Sequence, residues 1–219
     1  MASPKSRRHE PTHDIAPQTT GQFSGGLADG TDYEGLDFTG LTLGPASATG
    51  STFLGCRLER CGLDEVRLDR SRFVESRFSD LSATAIQAPD TTWRDTLIAG
   101  LRVGAFMASG SMWDLVRLRG VKANLLDLRG ARLVDVVFED CEIDELDLGG
   151  GDVRAVRVEG SSIEDLSVEG ARLAEVDLVG ARLGVVRGIT GLRGTTVSPA
   201  QLLDLAPQMA ADLGIVVRD

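Results

Sequence analysis

From Phe38 to Leu183 every fifth residue is apolar, which makes thirty positions in one unbroken phase. A period of five matches neither the 3.6 of a helix nor the 2 of an ordinary strand. A short fixed period marks a solenoid, in which each unit buries its apolar side chains only by stacking on its neighbours. A second row runs two residues earlier at the same period, from Leu36 and Leu41 through Cys56, Cys61 and Val66 to Ala181, and it holds only small or apolar side chains. The three remaining positions of each block carry nearly all the charge. Each block of five therefore presents two inward and three outward residues.

The number of blocks in one coil follows from packing, because side chains stacked in a column share one interior space. Phe53, Phe73, Trp93 and Trp113 are spaced by 20, and their partners two residues earlier, Ser51, Ser71, Thr91 and Ser111, are all small. Where Ala88 and Ala108 are small, Ile86 and Phe106 are large, so bulk moves between the rows without changing the total. Four blocks per coil satisfies both columns. Thirty blocks then make about 7.5 coils, a rod of roughly 36 Å at ~4.8 Å per strand.

With its repeat of a small residue, a polar one, Leu or Phe and two variable residues, the chain resembles the pentapeptide repeat family. Ala131-Arg132-Leu133-Val134-Asp135 and Ala171-Arg172-Leu173-Ala174-Glu175 show the pattern. The resemblance implies an all-β fold, a right-handed four-sided parallel β-helix with a C-terminal helical cap. One departure is an Arg at ten of the sites where the family often has Asp or Asn, including Arg57, Arg67, Arg72 and Arg77. Those side chains point outward, so they alter the surface and not the fold.

The expected organisation is a disordered tail over residues 1–22, a repeat domain over 23–190 and a cap over 191–219. The tail is rich in Pro, Ser, Thr and charge and lacks the repeat. It holds both histidines, His9 and His13, four apart; they are a metal pair or two solvated residues. The Gly-containing stretch from Phe23 to Tyr33 turns into the first coil and covers its end, since an open edge invites strand addition. Glycines at 40, 50, 100, 110, 120, 130, 150, 160, 170 and 180 read as corners that need φ > 0. No strand-to-helix context makes them a phosphate loop. Pro89 predicts a distorted corner.

At the other end Ser198-Pro199-Ala200-Gln201 reads as a helix start with a capping box. Pro207 predicts a break or restart, Gly214 a stop, and Ile215-Val216-Val217 a short strand. Leu202, Leu203, Leu205, Met209, Leu213 and Ile215 form the apolar stripe of this element. Part of it covers the last coil. Whether the rest pairs two chains stays open; the resemblance to the quinolone-resistance members, whose C-terminal element is similar, implies a homodimer.

The three cysteines, Cys56, Cys61 and Cys141, lie on the small inward row and read as reduced packing residues. No apolar run approaches the ~18 residues of a membrane helix, no signal segment opens the chain, and a cytoplasmic protein is expected. A filled rod offers no substrate-sized pocket, and neither inward row holds a carboxylate or histidine. No catalytic residue, metal or cofactor is therefore assigned.

Binding is the class that remains, and charge points to where. The formal net charge is −10, which disfavours direct nucleic-acid binding. Between Arg94 and Arg132 seven bases face three acids, a balance of +4, whereas between Asp135 and Gly180 fourteen acids face three arginines, a balance of −11. Sorted by coil, one face carries Glu142, Asp144, Glu145, Glu164 and Asp165 with no base; its neighbour adds Glu139, Asp140 and Glu159 against Arg157. That segment spans roughly 11 Å of axis. Duplex DNA carries about six or seven charges in the same length. The eight acids are the candidate partner surface, and the partner that the family resemblance implies is DNA gyrase, bound through DNA mimicry with protection against quinolones or natural gyrase poisons. A scaffold whose charged bands bind other proteins is the alternative.

Overall fold

The computed structural model describes residues 17–218. The residue pairing between successive coils has a register of 20 throughout the repeat: Phe53 pairs with Phe73, Trp93 with Trp113, Phe138 with Val158 and Ile143 with Ile163, all in parallel. This register puts chemically alike residues in one column, so the side-chain columns read from the sequence are physical stacks. Two parallel sheets of sixteen and eight strands wrap the core, each contributing two sides. We number the sides by their central residues: the first by Trp93 and Trp113, the second by Phe78 and Phe138, the third by Ile143 and Ile163, the fourth by Leu68 and Leu148. The polypeptide makes about eight turns.

The corner residue, two past each central apolar one, is left-handed at three of the four corners. Nine of the ten expected glycines adopt φ between 58° and 70°; Gly180 does not. Twelve non-glycine residues adopt the same conformation, among them Glu75, Asp90, Leu115 and Asp140. For such residues this geometry costs roughly 1–2 kcal/mol each. It persists because the coil closes only with it. From the coil of Ala83 onward the third side escapes the requirement: its six-residue strands, such as Lys122–Asp127, Glu142–Asp147 and Ser162–Ser167, continue past their corner, whereas Glu65, two past Leu63, is still left-handed.

The corner at Pro89 is regular, contrary to expectation. Asp90 has φ 55° like its column neighbours, and its N–H donates to the Ser109 carbonyl at 2.9 Å. In this column the amide ahead of the corner takes a side-chain acceptor, as at Thr49 and Arg129, whose N–H groups donate to Asp29 and Asp127. A proline there forfeits no ladder bond.

Inside, one aromatic stack runs along the first side. Tyr33 lies on Phe53 at 4.7 Å between ring centroids, Phe53 on Phe73 at 5.0 Å and Phe73 on Trp93 at 4.0 Å, with Trp113 following at 5.7 Å. Phe106 closes edge-on against Trp93 at 5.9 Å, which is the bulk moved across from Ala108. Each Trp Nε1–H donates at 2.8 Å to the hydroxyl two residues earlier, Thr91 or Ser111. The three cysteines are buried and free, and burial raises all three thiol pKa values.

At the N-terminal end Gly21–Gln22 pairs with Leu36 and Asp37, a register of 15 that skips one block. Phe23 thereby stacks on Phe38 at 4.3 Å and closes the coil. The expected tail thus includes paired residues from Thr20, whose N–H donates to the Gly35 carbonyl at 2.7 Å. His9 and His13 lie outside the described residues.

At the C-terminal end a single helix, α1 (Pro199–Asp212), follows the Ser198 cap, and the Ser198/Gln201 capping box is formed on both sides. The helix runs through Pro207 without a break. Leu205 is buried and Met209 packs partly buried on the core, anchoring the helix on either side of the proline, so the lost backbone bond is offset by packing. Gln201, Leu205 and Gln208 share one helical face by their spacing. Gln201 Nε2 donates to the carbonyls of Leu178 and Ala181 at 2.6 and 2.7 Å. Gln208 Oε1 accepts from Val186 N–H at 2.9 Å. The two amides substitute for a further coil. Ile215-Val216-Val217 forms no strand and is exposed.

Candidate partner-binding faces

The structure gathers Glu142, Asp144, Glu145, Glu164 and Asp165 on the third side. Glu145 and Asp165 are register partners, two like charges one strand spacing apart. Arg187, from the last coil, relieves that repulsion: its Nη2 reaches Glu145 at 2.7 Å and its Nε reaches Asp165 at 2.8 Å. Lys122 is the register partner of Glu142 and bonds to it at 2.8 Å. The expected base-free face is therefore bordered by bases above and below. Both compensating residues lie outside the segment Asp135–Gly180 that defined the charge count, which is why a count by segment overlooked them; the period of 20 would have found Lys122 under Glu142.

Asp144 and Glu164 are exposed, occupy neighbouring coils of one column and have no ion pair among the described residues. They are the uncompensated centre of this side. On the second side Glu139 accepts from Arg119 at 2.9 Å with Arg117 at 3.6 Å, and Glu159 lies 3.5 Å from Arg157. Asp140 turns a left-handed corner, and its Oδ1 lies 2.5 Å from where a Cβ on Gly160 would stand. The second side is thus a paired surface, and the third retains more free negative charge.

The apolar stripe of the C-terminal element divides. Leu205 is consumed by the core and Met209 partly so, whereas Leu202, Leu203, Leu213 and Ile215 are exposed, with Val216 and Val217 beside them. Among the described residues no cluster of three or more His, Cys, Asp or Glu is arranged to hold a metal ion. No helix is long and apolar enough to cross a membrane, again among the described residues.

The five-residue repeat, the 20-residue coil and the terminal helix together are the architecture of a pentapeptide repeat β-helix with a helical cap. Solved structures similar to it include a trypsin-treated variant of QnrB1, a plasmid-mediated fluoroquinolone resistance protein, at 16% identity over 91% of this chain and 97% of that one, with a TM-score of 0.41. HetL, a pentapeptide repeat protein involved in heterocyst differentiation regulation from the cyanobacterium Nostoc, is similar at 14% identity over 74% of this chain and 88% of that one, with a TM-score of 0.35. No protein-family model and no curated protein matches the chain.

Proposed function

We propose that this protein is a non-enzymatic binding rod whose acidic third side, with the adjoining second side, occupies a basic protein groove built for DNA, and that the groove belongs to DNA gyrase. The observation that carries the reading is the patch of Asp144 and Glu164, exposed in neighbouring coils and free of ion pairs among the described residues. A rigid surface of this kind meets a basic groove without the ordering cost of a flexible acidic segment. The exposed leucines of the C-terminal element supply a two-chain contact, which would lengthen the rod.

The test is gyrase supercoiling and quinolone-stabilised cleavage with the protein added, beside a variant carrying Glu142, Asp144, Glu145, Glu164 and Asp165 as Lys. Activity that disappears in the variant supports mimicry and locates its face. Absence of any effect from the unaltered protein at micromolar concentration would overturn the gyrase reading. A second reading, a scaffold for other proteins, draws on the pairing of Glu139 and Glu159 with neighbouring arginines, since a surface neutralised within the chain has less charge to spend on a DNA-shaped groove.

A further inference from the structure

We infer that the third side is self-complementary and docks on the third side of a second copy, with the two rods antiparallel. This occupant differs from the partner proposed above and would compete with it for the same side; the inference concerns the free protein and does not rest on the gyrase reading.

Four successive coils carry the argument. Register pairs Arg102 with Lys122, Lys122 with Glu142 and Glu142 with Ser162. Asp144 and Glu164 stand two residues along the strand from Glu142 and Ser162. Along the rod the side therefore reads base, base, acid, acid over these coils, with Arg182, the register partner of Ser162, a base again in the next; the axis described below sets it against the uncharged level of Ser82. Arg102, Asp144 and Glu164 are exposed and make no ion pair among the described residues.

Two ways of placing one copy face to face on another by a two-fold axis differ in sign. An axis parallel to the rod sets each level against itself, Arg102 on Arg102 and Glu164 on Glu164, and repels. An axis along the strands, midway between the levels of Lys122 and Glu142, reverses the rod. It sets Lys122 against the acids Glu142 and Asp144 of the second copy, and Arg102 against the level of Glu164. Both matches use one axis, as a closed two-fold interface requires. The Lys122–Glu142 pair within each chain is not consumed: two such pairs laid antiparallel form a square of alternating charge.

The backbone suits close approach. The six-residue strands carry no left-handed corner here, and the outward positions between the charges are Gly104, Ala105, Asn124 and the half-buried Leu125. A side about six residues wide and, from the level of Ser82 to that of Arg182, six coils tall covers roughly 570 Å² per copy, at the small, transient end of specific interfaces. Association is accordingly weak and sensitive to salt.

The experiment is sedimentation equilibrium of the full chain at about 20 mM and about 500 mM salt, in a Leu203→Asp, Leu213→Asp background that removes the C-terminal apolar contact. Two charge-swapped variants accompany it, Arg102→Glu with Lys122→Glu, and Glu142→Lys with Glu164→Lys. All four positions are exposed, so circular dichroism should stay unchanged. The expected result is self-association at low salt that weakens at least tenfold at high salt and in either variant alone, and returns when the two variants are mixed. A chain that stays monomeric at low salt, association indifferent to the swaps, or swapped variants that fail to associate with each other would each overturn it. Gyrase enters none of these measurements, so the two proposals fail separately.

Discussion

At the scale of single residues, the row two before each central residue turns out to govern bonding as well as size. Ser111 Oγ accepts the Trp113 indole N–H at 2.8 Å and donates to the Ala108 carbonyl at 2.6 Å. Ser111→Ala strands the Trp113 indole N–H in the core and leaves the Ala108 carbonyl only the longer bond from the Ser111 N–H at 3.3 Å, and a loss of about 1–3 kcal/mol is expected. Ser111→Thr should restore most of it, since Thr91 does the same under Trp93; urea denaturation of the three proteins checks both. The spacing revealed that these residues are small, but spacing carries no information about a hydroxyl, because Cys and Val fill the same row elsewhere. Asp127 is a sharper instance. Its place in the repeat reads as outward, yet it is 2% exposed because Arg129 folds over it. Burial alone would push its carboxyl up; the Arg129 hydrogen bonds and charge outweigh that and hold it below the usual carboxylate range. A depressed carboxylate stabilises the fold above its ordinary pKa, and that contribution is lost as pH falls through the lower, folded value. Asp127→Asn should lower stability at neutral pH and flatten the acid limb of a melting-temperature profile below about pH 4. An unchanged limb would refute the assignment.

At the scale of elements, the ends of the rod depend on groups that imitate strands. Gln208 offers Oε1 to Val186 N–H at 2.9 Å and Nε2 to the Gly184 carbonyl at 3.3 Å, covering polar groups of the last strand, Arg182–Arg187. Gln208→Ala is expected to cost about 1 kcal/mol and to open an edge for pairing between chains. Thermal melts and light scattering read the two effects, and the association it promotes should persist at high salt, unlike that of the charged third side. Capping chemistry is local, so the Ser198 start was legible three residues at a time. Pro207 and the run Ile215-Val216-Val217 were not. Whether a proline breaks a helix depends on what packs beside it, here Leu205 and Met209. A β-branched run becomes a strand only where an edge is free, and Gln201 and Gln208 already occupy groups at this one.

At the scale of the whole molecule, the coil number and the four sides were legible because a period of 20 is a long-range fact written into local spacing. The compensation of the acidic side was legible only in part: the same period places Lys122 under Glu142, but Arg187 meets Glu145 from 42 residues away, off the register of 20. The core itself changes along the rod. The first-side stack is aromatic through Trp113 and then becomes Leu133, Val153 and Leu173. Around Val153, Val158, Leu173 and Val176 an apolar cavity of about 20 Å³ remains; at ~24 cal/mol per Å³ it costs about 0.5 kcal/mol. Apart from the exposed reach of Arg187 to Glu145 two coils away, each coil packs on its neighbours, so stability is close to a sum of local terms and opening begins where the sum is least. The C-terminal coils combine the cavity, the aliphatic stack and an end held by side-chain amides. Hydrogen exchange should therefore grade along the rod: the amides of Thr92, Met112 and Lys122, which donate to Ser71, Thr91 and Leu101, should outlast those of Arg172 and Arg182, which donate to Gly151 and Ser161. Equal protection from end to end would mean that the coils open as one unit and that the aromatic stack adds nothing local. If the gradient is found, Val153→Ile, which fills the cavity without disturbing an exposed residue, should slow exchange in the C-terminal coils and leave the aromatic ones unchanged.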